Sequence, residues 1–507
     1  MGNNKRVRFG MSSKGRTRDF GSCNDGSNPS IPATRLIVEV MHVMSKLCVL
    51  IMAAGKGTRM KSALPKVLQP VLDSPIIDYV IGNAQSAGVS PEDIAVLVGS
   101  GGELVESHIK ENFPNVKIIW QHEQLGTGHA VKSALEWWRN YDSLVVLNGD
   151  LPLMKPDSLR KLISSAGKND CTVITFEAEN PGAYGRIIRG ENSVSIIEYK
   201  DASAEQREIH EVNAGCYAFK VQSLLRIIDS ITNNNSQHEY YITDALGLMN
   251  QAGMTTGAFI MPESEMQGVN TLAELARVSR ILRDEFLDIY MRNGVRIVDP
   301  ETVYLGADVI ISPGVTIMPN VQIWGRSKIG AGSVIGSGSI LTNAVIGENV
   351  HVIAYAVIEN STLKDNTKAG PFCYIRDNTV LEAGAFAGKF VELKNSHIGE
   401  GSKVPHLSYM GDATLGHDVN IGAGSITCNY DGVNKNKTVI GDNCFIGSST
   451  MFVAPAEVGD NSTTAAGSVI TQRVPENSLG VGRARQKNIE GWSLRSHNHS
   501  KTTEGVK

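Results

Sequence analysis

Residues 311–341 read ISPGVTIMPNVQIWGRSKIGAGSVIGSGSIL, with an aliphatic side chain at every sixth position: Ile311, Ile317, Ile323, Ile329, Ile335 and Leu341. Glycines such as Gly314, Gly330 and Gly336 stand in the turns between them. After one-residue slips the beat resumes at Leu363, Ala369, Ile375, Leu381, Ala387 and Leu393. It resumes again at Ile440, Ile446, Phe452, Val458, Thr464 and Ile470. A six-residue period is that of a parallel β-helix. Each short strand turns one side chain inward, and stacked coils bury a column that no single repeat buries alone. Eighteen phased positions in three blocks predict this architecture for residues 294–485.

Upstream the period changes. TLAELARVSRILRDEFLDIYMRN, Thr271 to Asn293, carries Leu272, Leu275, Val278, Leu282, Phe286 and Ile289 three or four residues apart. That spacing predicts one amphipathic helix, stopped at Asn293-Gly294 and serving as a linker over 271–293. Over 44–270, the runs LCVLIMA, DIAVLVGS, KIIWQ and SLVVLNGD read as buried strands separated by helical patterns, an α/β sheet of the doubly wound, Rossmann-like type. Ligands in such sheets bind beyond the carboxyl ends of the strands.

The chain has 507 residues, too many for one compact core. Its 20% charged and 41% hydrophobic content and net charge of -4 describe a soluble globular protein, with no sign of a nucleic-acid or membrane binder. The longest apolar run, Leu47 to Ala54, falls far short of the ~20 residues that cross a bilayer. Seven cysteines show no CxxC spacing, which argues against zinc and disulfide frameworks and for a reducing cytoplasm. Residues 1–43 hold seven Lys/Arg against three Asp/Glu, are rich in Gly, Ser and Asn, and read as a disordered, dispensable extension or a start placed upstream of Met41 or Met44. The polar tail 486–507 is assigned no role.

The first strand opens into MAAGKGTRMKSALPK, Met52 to Lys66. It lacks the GxxxxGK[ST] spacing of a Walker A loop, and Met60 stands where a dinucleotide fingerprint needs its third glycine. What remains is a loop whose backbone approaches an anion because Gly55 and Gly57 lack side chains, with Arg59 and Lys66 to neutralise phosphate charge. Such a set suits nucleotidyl transfer, where positioning and charge stabilisation supply most of the catalysis. An ordinary β-α turn with solvated basic residues is the equal alternative on this stretch alone.

This loop resembles the signature of the sugar-nucleotide pyrophosphorylases. Further motifs follow in order: QHEQLGTGHA from Gln121, LNGDLPL from Leu147, YGRI from Tyr184, EYKDA from Glu198, NAGCY from Asn213, NNNSQHEYYITD from Asn233 and GVN ending at Asn270. With the β-helix behind them, the chain from about Met44 is similar to the bacterial bifunctional N-acetylglucosamine-1-phosphate uridyltransferase/glucosamine-1-phosphate N-acetyltransferase family. The resemblance implies that Met52, Ala53, Ala54, Gly55, Gln121, Gly126, Thr127, Asn148, Gly149 and Asp150 line the UTP site. Arg59 and Lys66 balance the transferring phosphate. Gly185, Glu198 and Asn213 contact the sugar, and Asp150 and Asn270 hold magnesium. Asn148 replaces an aromatic residue of some relatives, a contact the backbone could make instead.

In the β-helix, GKFVELKNSHIGEGSKVPHLSYMGDATLGHDVNIGAGSITCNYDG carries polar residues a scaffold would not need, and a non-repeating insertion follows Cys428. A neutral imidazole can take the proton released when an amine attacks a thioester. His397, His406 and His417 are the candidates, and only His406 fits the family pattern KxxHLxYxGDA. The same resemblance puts Arg376, Lys394, Tyr409 and Asn420 on glucosamine 1-phosphate, and Ala423, Asn429, Tyr430, Ser448, Ala466 and Arg483 on acetyl-CoA. It implies left-handed coils, a site between neighbouring subunits, and hence a homotrimer.

The expected function is therefore acetyl transfer from acetyl-CoA to glucosamine 1-phosphate, then uridylyl transfer from UTP. The product is UDP-N-acetylglucosamine, a precursor for peptidoglycan and lipopolysaccharide. Two alternatives stand beside it. One is a single-function nucleotidyltransferase whose β-helix only assembles subunits. The other is a γ-class carbonic anhydrase-like zinc site, which would need histidines from adjacent coils converging on zinc, and no three histidines here recur at coil spacing.

Overall fold

The structure is a computed structural model describing residues 46–497 apart from Lys56 and Ser100. The expected extension at 1–43 and the end of the 486–507 tail lie outside the described residues. The chain forms two compact units, divided between Leu282 and Arg283.

The first unit is built on a mixed sheet of nine strands: β1 (Leu47–Met52), β2 (Ile94–Val98), β3 (Lys117–Trp120), β4 (Ser143–Asn148), β5 (Cys171–Glu177), β6 (Arg186–Arg189), β7 (Val194–Ile197), β8 (Glu211–Lys220) and β9 (Thr256–Ile260). Its order is β9-β5-β8-β4-β1-β2-β3, with β6 beside β8 and β7 beside β6. The strands around β1 are parallel, and β8 runs antiparallel to both β4 and β5. Alternation explains the unbroken apolar runs. Val49 and Ile51 join one core with Val145 and Leu147, while Cys48 and Leu50 join the core on the opposite face with Leu144 and Val146. KIIWQ departs from the expected buried strand: β3 is an edge strand, and Ile118 to Trp120 are half-buried because no strand covers their outer side.

Between β1 and β4 the chain order of the sheet reverses, the crevice position where α/β proteins bind ligands. Met52 pairs with Asn148, Gly149 N donates to Met52 O at 2.9 Å, and Ala53 N donates to Leu97 O at 2.9 Å. The carboxyl ends of β1, β2 and β4 therefore deliver their loops to one place.

A helix spans Leu272–Arg292. Val278 and Leu282 pack with Met60, Val71 and Ile76, whereas Leu287 belongs to the β-helix core. Leu272, the first residue of the helix, is 55% exposed, and near the other end the inward positions move to Leu287 and Tyr290, which leaves Ile289 39% exposed.

The second unit has three parallel sheets of eleven, ten and nine short strands, the arrangement of a left-handed parallel β-helix. All eighteen phased side chains are buried, none above 7% exposed. Thr464 is the polar member of the column; its hydroxyl meets Thr450 Oγ1 at 2.9 Å and accepts from Gly447 N at 3.1 Å. Strand partners lie eighteen residues apart where all sides are full, as in Thr316 with Val334, and seventeen where one side loses a residue, as in Val334 with His351. The shortened corners hold Asn343, Asn360, Asn395 and Asp412 at positive φ, a conformation Asn and Asp tolerate best after glycine. They ladder along the coil: Asn343 Nδ2 donates to Asn360 Oδ1 at 3.1 Å and Asn395 Nδ2 to Asp412 Oδ1 at 2.5 Å. The insertion after Cys428 lengthens one coil so that Asn420 pairs with Phe445.

Candidate active sites

In the first unit the charged centre is a cluster of four side chains. Lys66 Nζ lies 2.5 Å from Asp150 Oδ2 and 3.1 Å from Asn270 Oδ1, and Arg59 Nη2 donates to the same Asn270 oxygen at 2.9 Å. Each is positioned locally. Lys66 opens the short turn Lys66–Leu68, whose Val67 and Leu68 are buried, and Asp150 follows β4. Val269 N donates to Asp150 O at 3.1 Å. Asn270 is fixed by the helix start behind it: Glu274 accepts from the backbone N–H of Asn270 and Thr271, at 2.7 and 2.9 Å, and Thr271 Oγ1 accepts from Glu274 N. A carboxylate and an amide oxygen thus converge where a cation is favoured. Hard oxygen donors, few from the protein, fit a divalent metal completed by phosphate and water.

Around this centre the glycines divide into two kinds. At Gly55 a Cβ would meet no atom within 4 Å. At Gly126 (φ +112°) it would stand 2.5 Å from Tyr240 O. Gln121, buried at the end of β3, donates through Nε2 to Gly126 O at 3.3 Å, and its nitrogen lies 3.1 Å from His129 Nδ1. Thr127 Oγ1 accepts from Ile242 N at 3.0 Å. Asn148 Nδ2 contacts Ala214 O at 3.4 Å beneath Gly215, where a Cβ would be 2.2 Å from that amide.

Gly185, Glu198 and Asn213 come together as a second patch. Asn213 N donates to Gly185 O at 2.9 Å, and a Cβ on Gly185 would sit 3.5 Å from Glu198 Oε2. The register of β8 breaks between Asn213 and Tyr217, where Asn213 accepts from Gly215 N at 2.8 Å and donates to Tyr217 Oη at 2.7 Å. Burial raises the Glu198 carboxyl above its ordinary value; the Thr243 hydroxyl opposes this, and Asp244, Asp201 and Glu239 add to it.

Sequence reasoning missed three residues here. Tyr184 packs edge-on against Phe176, and burial, then the charges of Asp150, Glu274 and Glu263, push its phenol up. Gln124 Nε2 holds Ala54 O at 2.5 Å, and Thr243 Oγ1 donates to Glu198 Oε1 at 3.1 Å. All three stand inside the quoted motifs, which were the available signal.

In the β-helix, His406 ends the strand Lys403–His406 and opens onto a cleft of about 510 Å³ shared with Asn420, Ala423, Ser448 and Ala466. The Arg483 side chain passes within 3.8 Å of where a Gly467 Cβ would stand, one residue beyond Ala466. Arg376, Lys394 and Tyr409 lie on the adjacent sheet, around the corner at Leu407. Arg376 and Lys394 are cross-strand partners, and Glu392 accepts from Arg376 at 2.8 Å. Burial pushes the Tyr409 phenol up, and the Asn429 amide beside it opposes the shift. Asn429 donates to Asp412 at 2.5 Å, and the neighbouring Lys435 ammonium pulls Lys394 below its ordinary value. Tyr430 is exposed, its hydroxyl donating to Gly432 O at 2.6 Å. One chain therefore splits the predicted set between two faces. Glu392, Asp412 and Lys435 were not anticipated, although Asp412 belongs to the GDA motif.

The rival histidines are elsewhere. His397 pairs with Glu382 at 2.9 Å, and His417 lies between Asp418 and Asp442, each at 3.1 Å. Among the described residues, no three His, Cys, Asp or Glu side chains group to hold a metal ion, and no helix is long and apolar enough to cross a membrane.

The two units match two family models: the MobA-like NTP transferase domain over residues 49–211, and the bacterial transferase hexapeptide (six repeats) over 308–343 and 437–472. They define a transferase with a nucleotidyl-transfer unit ahead of a hexapeptide β-helix. Known relatives include the bifunctional protein GlmU of Clostridium beijerinckii, 43% identical over 449 residues, 88% of this chain and 98% of the relative. That of Clostridium perfringens is 44% identical over the same shares, and that of Thermoanaerobacter pseudethanolicus is 43% identical over 89% and 98%. The chain belongs to the GlmU family of bifunctional proteins.

Proposed function

We propose that the chain makes UDP-N-acetylglucosamine in two steps at two separate sites. The observation that carries this is the pair of constellations on one chain: Lys66, Arg59, Asp150 and Asn270 at the sheet crevice, and His406 over the β-helix cleft. In the first step the amine of glucosamine 1-phosphate attacks the thioester carbonyl of acetyl-CoA. A C–N bond forms, the C–S bond breaks, and His406 takes the ammonium proton and returns it to the departing thiolate. Arg376 and Lys394 hold the sugar phosphate. In this reading the hexapeptide β-helix assembles as a homotrimer in which neighbouring subunits complete each site, which the hexapeptide-repeat match supports.

In the second step an oxygen of N-acetylglucosamine 1-phosphate attacks the α-phosphorus of UTP in line, and pyrophosphate leaves. Gly55 admits the phosphate chain, Gln121 and Thr127 frame the uridine side, and Lys66 and Arg59 neutralise charge as the α–β bond breaks. Asp150 and Asn270 would hold a divalent metal, magnesium in this reading, which spreads the pyrophosphate charge when bound. Gly185, Glu198 and Asn213 orient the sugar. The reading puts the protein in the cytoplasm with its nucleotide and acyl-CoA substrates, serving peptidoglycan and lipopolysaccharide precursors. The test is purified protein with glucosamine 1-phosphate, acetyl-CoA, UTP and magnesium, following free thiol and pyrophosphate separately. Both are expected; either one without the other refutes two-step synthesis.

A further inference from the structure

Thr243 occupies the N-cap position of the helix Asp244–Gln251, where a threonine hydroxyl ordinarily accepts from the first-turn N–H groups. Here it makes no cap hydrogen bond; Thr243 is 4% exposed and its Oγ1 donates to Glu198 Oε1 at 3.1 Å. The backbone leading to Thr243 is clamped from the nucleotide side. Tyr240 N donates to Leu125 O at 2.8 Å, Gly128 N donates to Tyr240 O at 2.7 Å, and Ile242 N donates to Thr127 Oγ1 at 3.0 Å. Gly126 and Gly128 permit this approach, since a Cβ on either would stand 2.5 or 3.1 Å from Tyr240 O.

We propose that Thr243 is a positioning residue for uridylyl transfer. Its hydroxyl turns the Glu198 carboxylate toward the sugar hydroxyls of the hexosamine 1-phosphate, and the Leu125–Gly128 loop fixes Thr243 through residues 240–242. The inference rests on the uridylyl-transfer reading of this site. It gives the threonine of YITD and the glycines of QLGTGHA one shared role, which is to tie the uridine side to the sugar side.

The electrostatics agree. Glu198 faces Asp201 on its own loop, Glu239, Asp244 and the Tyr241 phenol from the segment 239–244, and Tyr217 from β8. Lys200 is turned to Gln237 at 2.7 Å. In this acidic, half-buried setting the Thr243 hydroxyl is the group that favours the carboxylate form.

The test is steady-state pyrophosphate release by the full chain carrying Thr243→Val or Thr243→Ser. Thr243→Val is expected to raise KM for N-acetylglucosamine 1-phosphate about tenfold, the scale of one hydrogen bond to a charged group, with KM for UTP within about twofold. The acid limb of kcat/KM for the sugar should move to higher pH, because the hydrogen bond that holds the Glu198 carboxyl down is gone. Thr243→Ser should restore both. Wild-type values in Thr243→Val overturn the proposal. So does an equal rise in both KM values that serine does not rescue, since that marks a purely structural role. Absence of pyrophosphate release by the wild-type chain would instead refute the uridylyl-transfer reading itself.

Discussion

Gly126→Ala puts a methyl group into occupied space. The residue sits at φ +112°, ψ 176°, a region essentially reserved for glycine, and the new Cβ would lie 2.5 Å from Tyr240 O, 2.8 Å from Tyr240 N and 3.0 Å from Glu239 Cβ. The backbone conformation costs an L-residue about 1–3 kcal/mol. Forcing a methyl against backbone adds about 1–3 kcal/mol. The neighbour cannot retreat freely, because Tyr240 is hydrogen-bonded through both its N–H and its carbonyl to the loop that carries Gly126. The expected loss is about 2–6 kcal/mol, a fall in the melting midpoint of the first unit on the order of 10 °C. Gly55→Ala is the matched comparison: no atom lies within 4 Å of its Cβ, so melting should be unchanged while KM for UTP rises about tenfold through lost approach to the phosphates. Differential scanning calorimetry and pyrophosphate release measure both. A Gly126→Ala variant melting within about 2 °C of wild type would refute the steric argument, because a loss of even the smaller size should move the midpoint further than that. So would a Gly55→Ala that melts as early as Gly126→Ala.

Other perturbations separate the two sites. Lys66→Met removes the ammonium that spans Asp150 and Asn270 and should lower kcat for pyrophosphate release about 10²–10³-fold, leaving thiol release intact. His406→Ala should lower thiol release about 10²–10⁴-fold while sparing uridylyl transfer to supplied N-acetylglucosamine 1-phosphate; loss of both activities would count against two sites. For Asp170, burial favours the neutral carboxyl, but hydrogen bonds from Ser223 and Thr255 and the Lys220 charge outweigh it and bring the group from 3.8 to about 2. A depressed folded value stabilises above the unfolded one, so this contribution is present near neutral pH and is lost as pH falls from about 4 through 2. Urea titrations should show Asp170→Asn weaker at pH 7 and level with wild type near pH 2. Cys428 is the exposed thiol among the six described cysteines, and a maleimide should label it ahead of Cys216, whose thiol burial pushes up to about 12.

Much of this was legible in one dimension because period is a local property. Six-residue spacing placed eighteen side chains in the β-helix column without knowledge of any neighbour, and residues 47–52 and 144–147 are apolar throughout because both their faces are covered. Where the inward face shifts along one helix the local pattern misled: the linker stripe includes Ile289, which is exposed because Leu287 and Tyr290 take the inward positions there. KIIWQ looked buried because a strand's sequence does not say that its sheet ends there.

The residue types of the sites were likewise written in the motifs, since phosphate and thioester chemistry demand glycine, cations, oxygen donors and an imidazole. Their relations were not. Lys66, Asp150 and Asn270 are far apart in the chain and meet only because β1 and β4 pair and the helix start at Thr271 returns Asn270 to the same crevice. Thr243 stands at a helix start, and only packing turns its hydroxyl to Glu198. The sequence alone determined the two architectures and the chemical inventory, because both follow from short-range periodicity and residue type. Which oxygen faces which cation, which glycine guards a backbone contact rather than a ligand, and which histidine opens onto a cleft are long-range facts, decided by the tertiary fold.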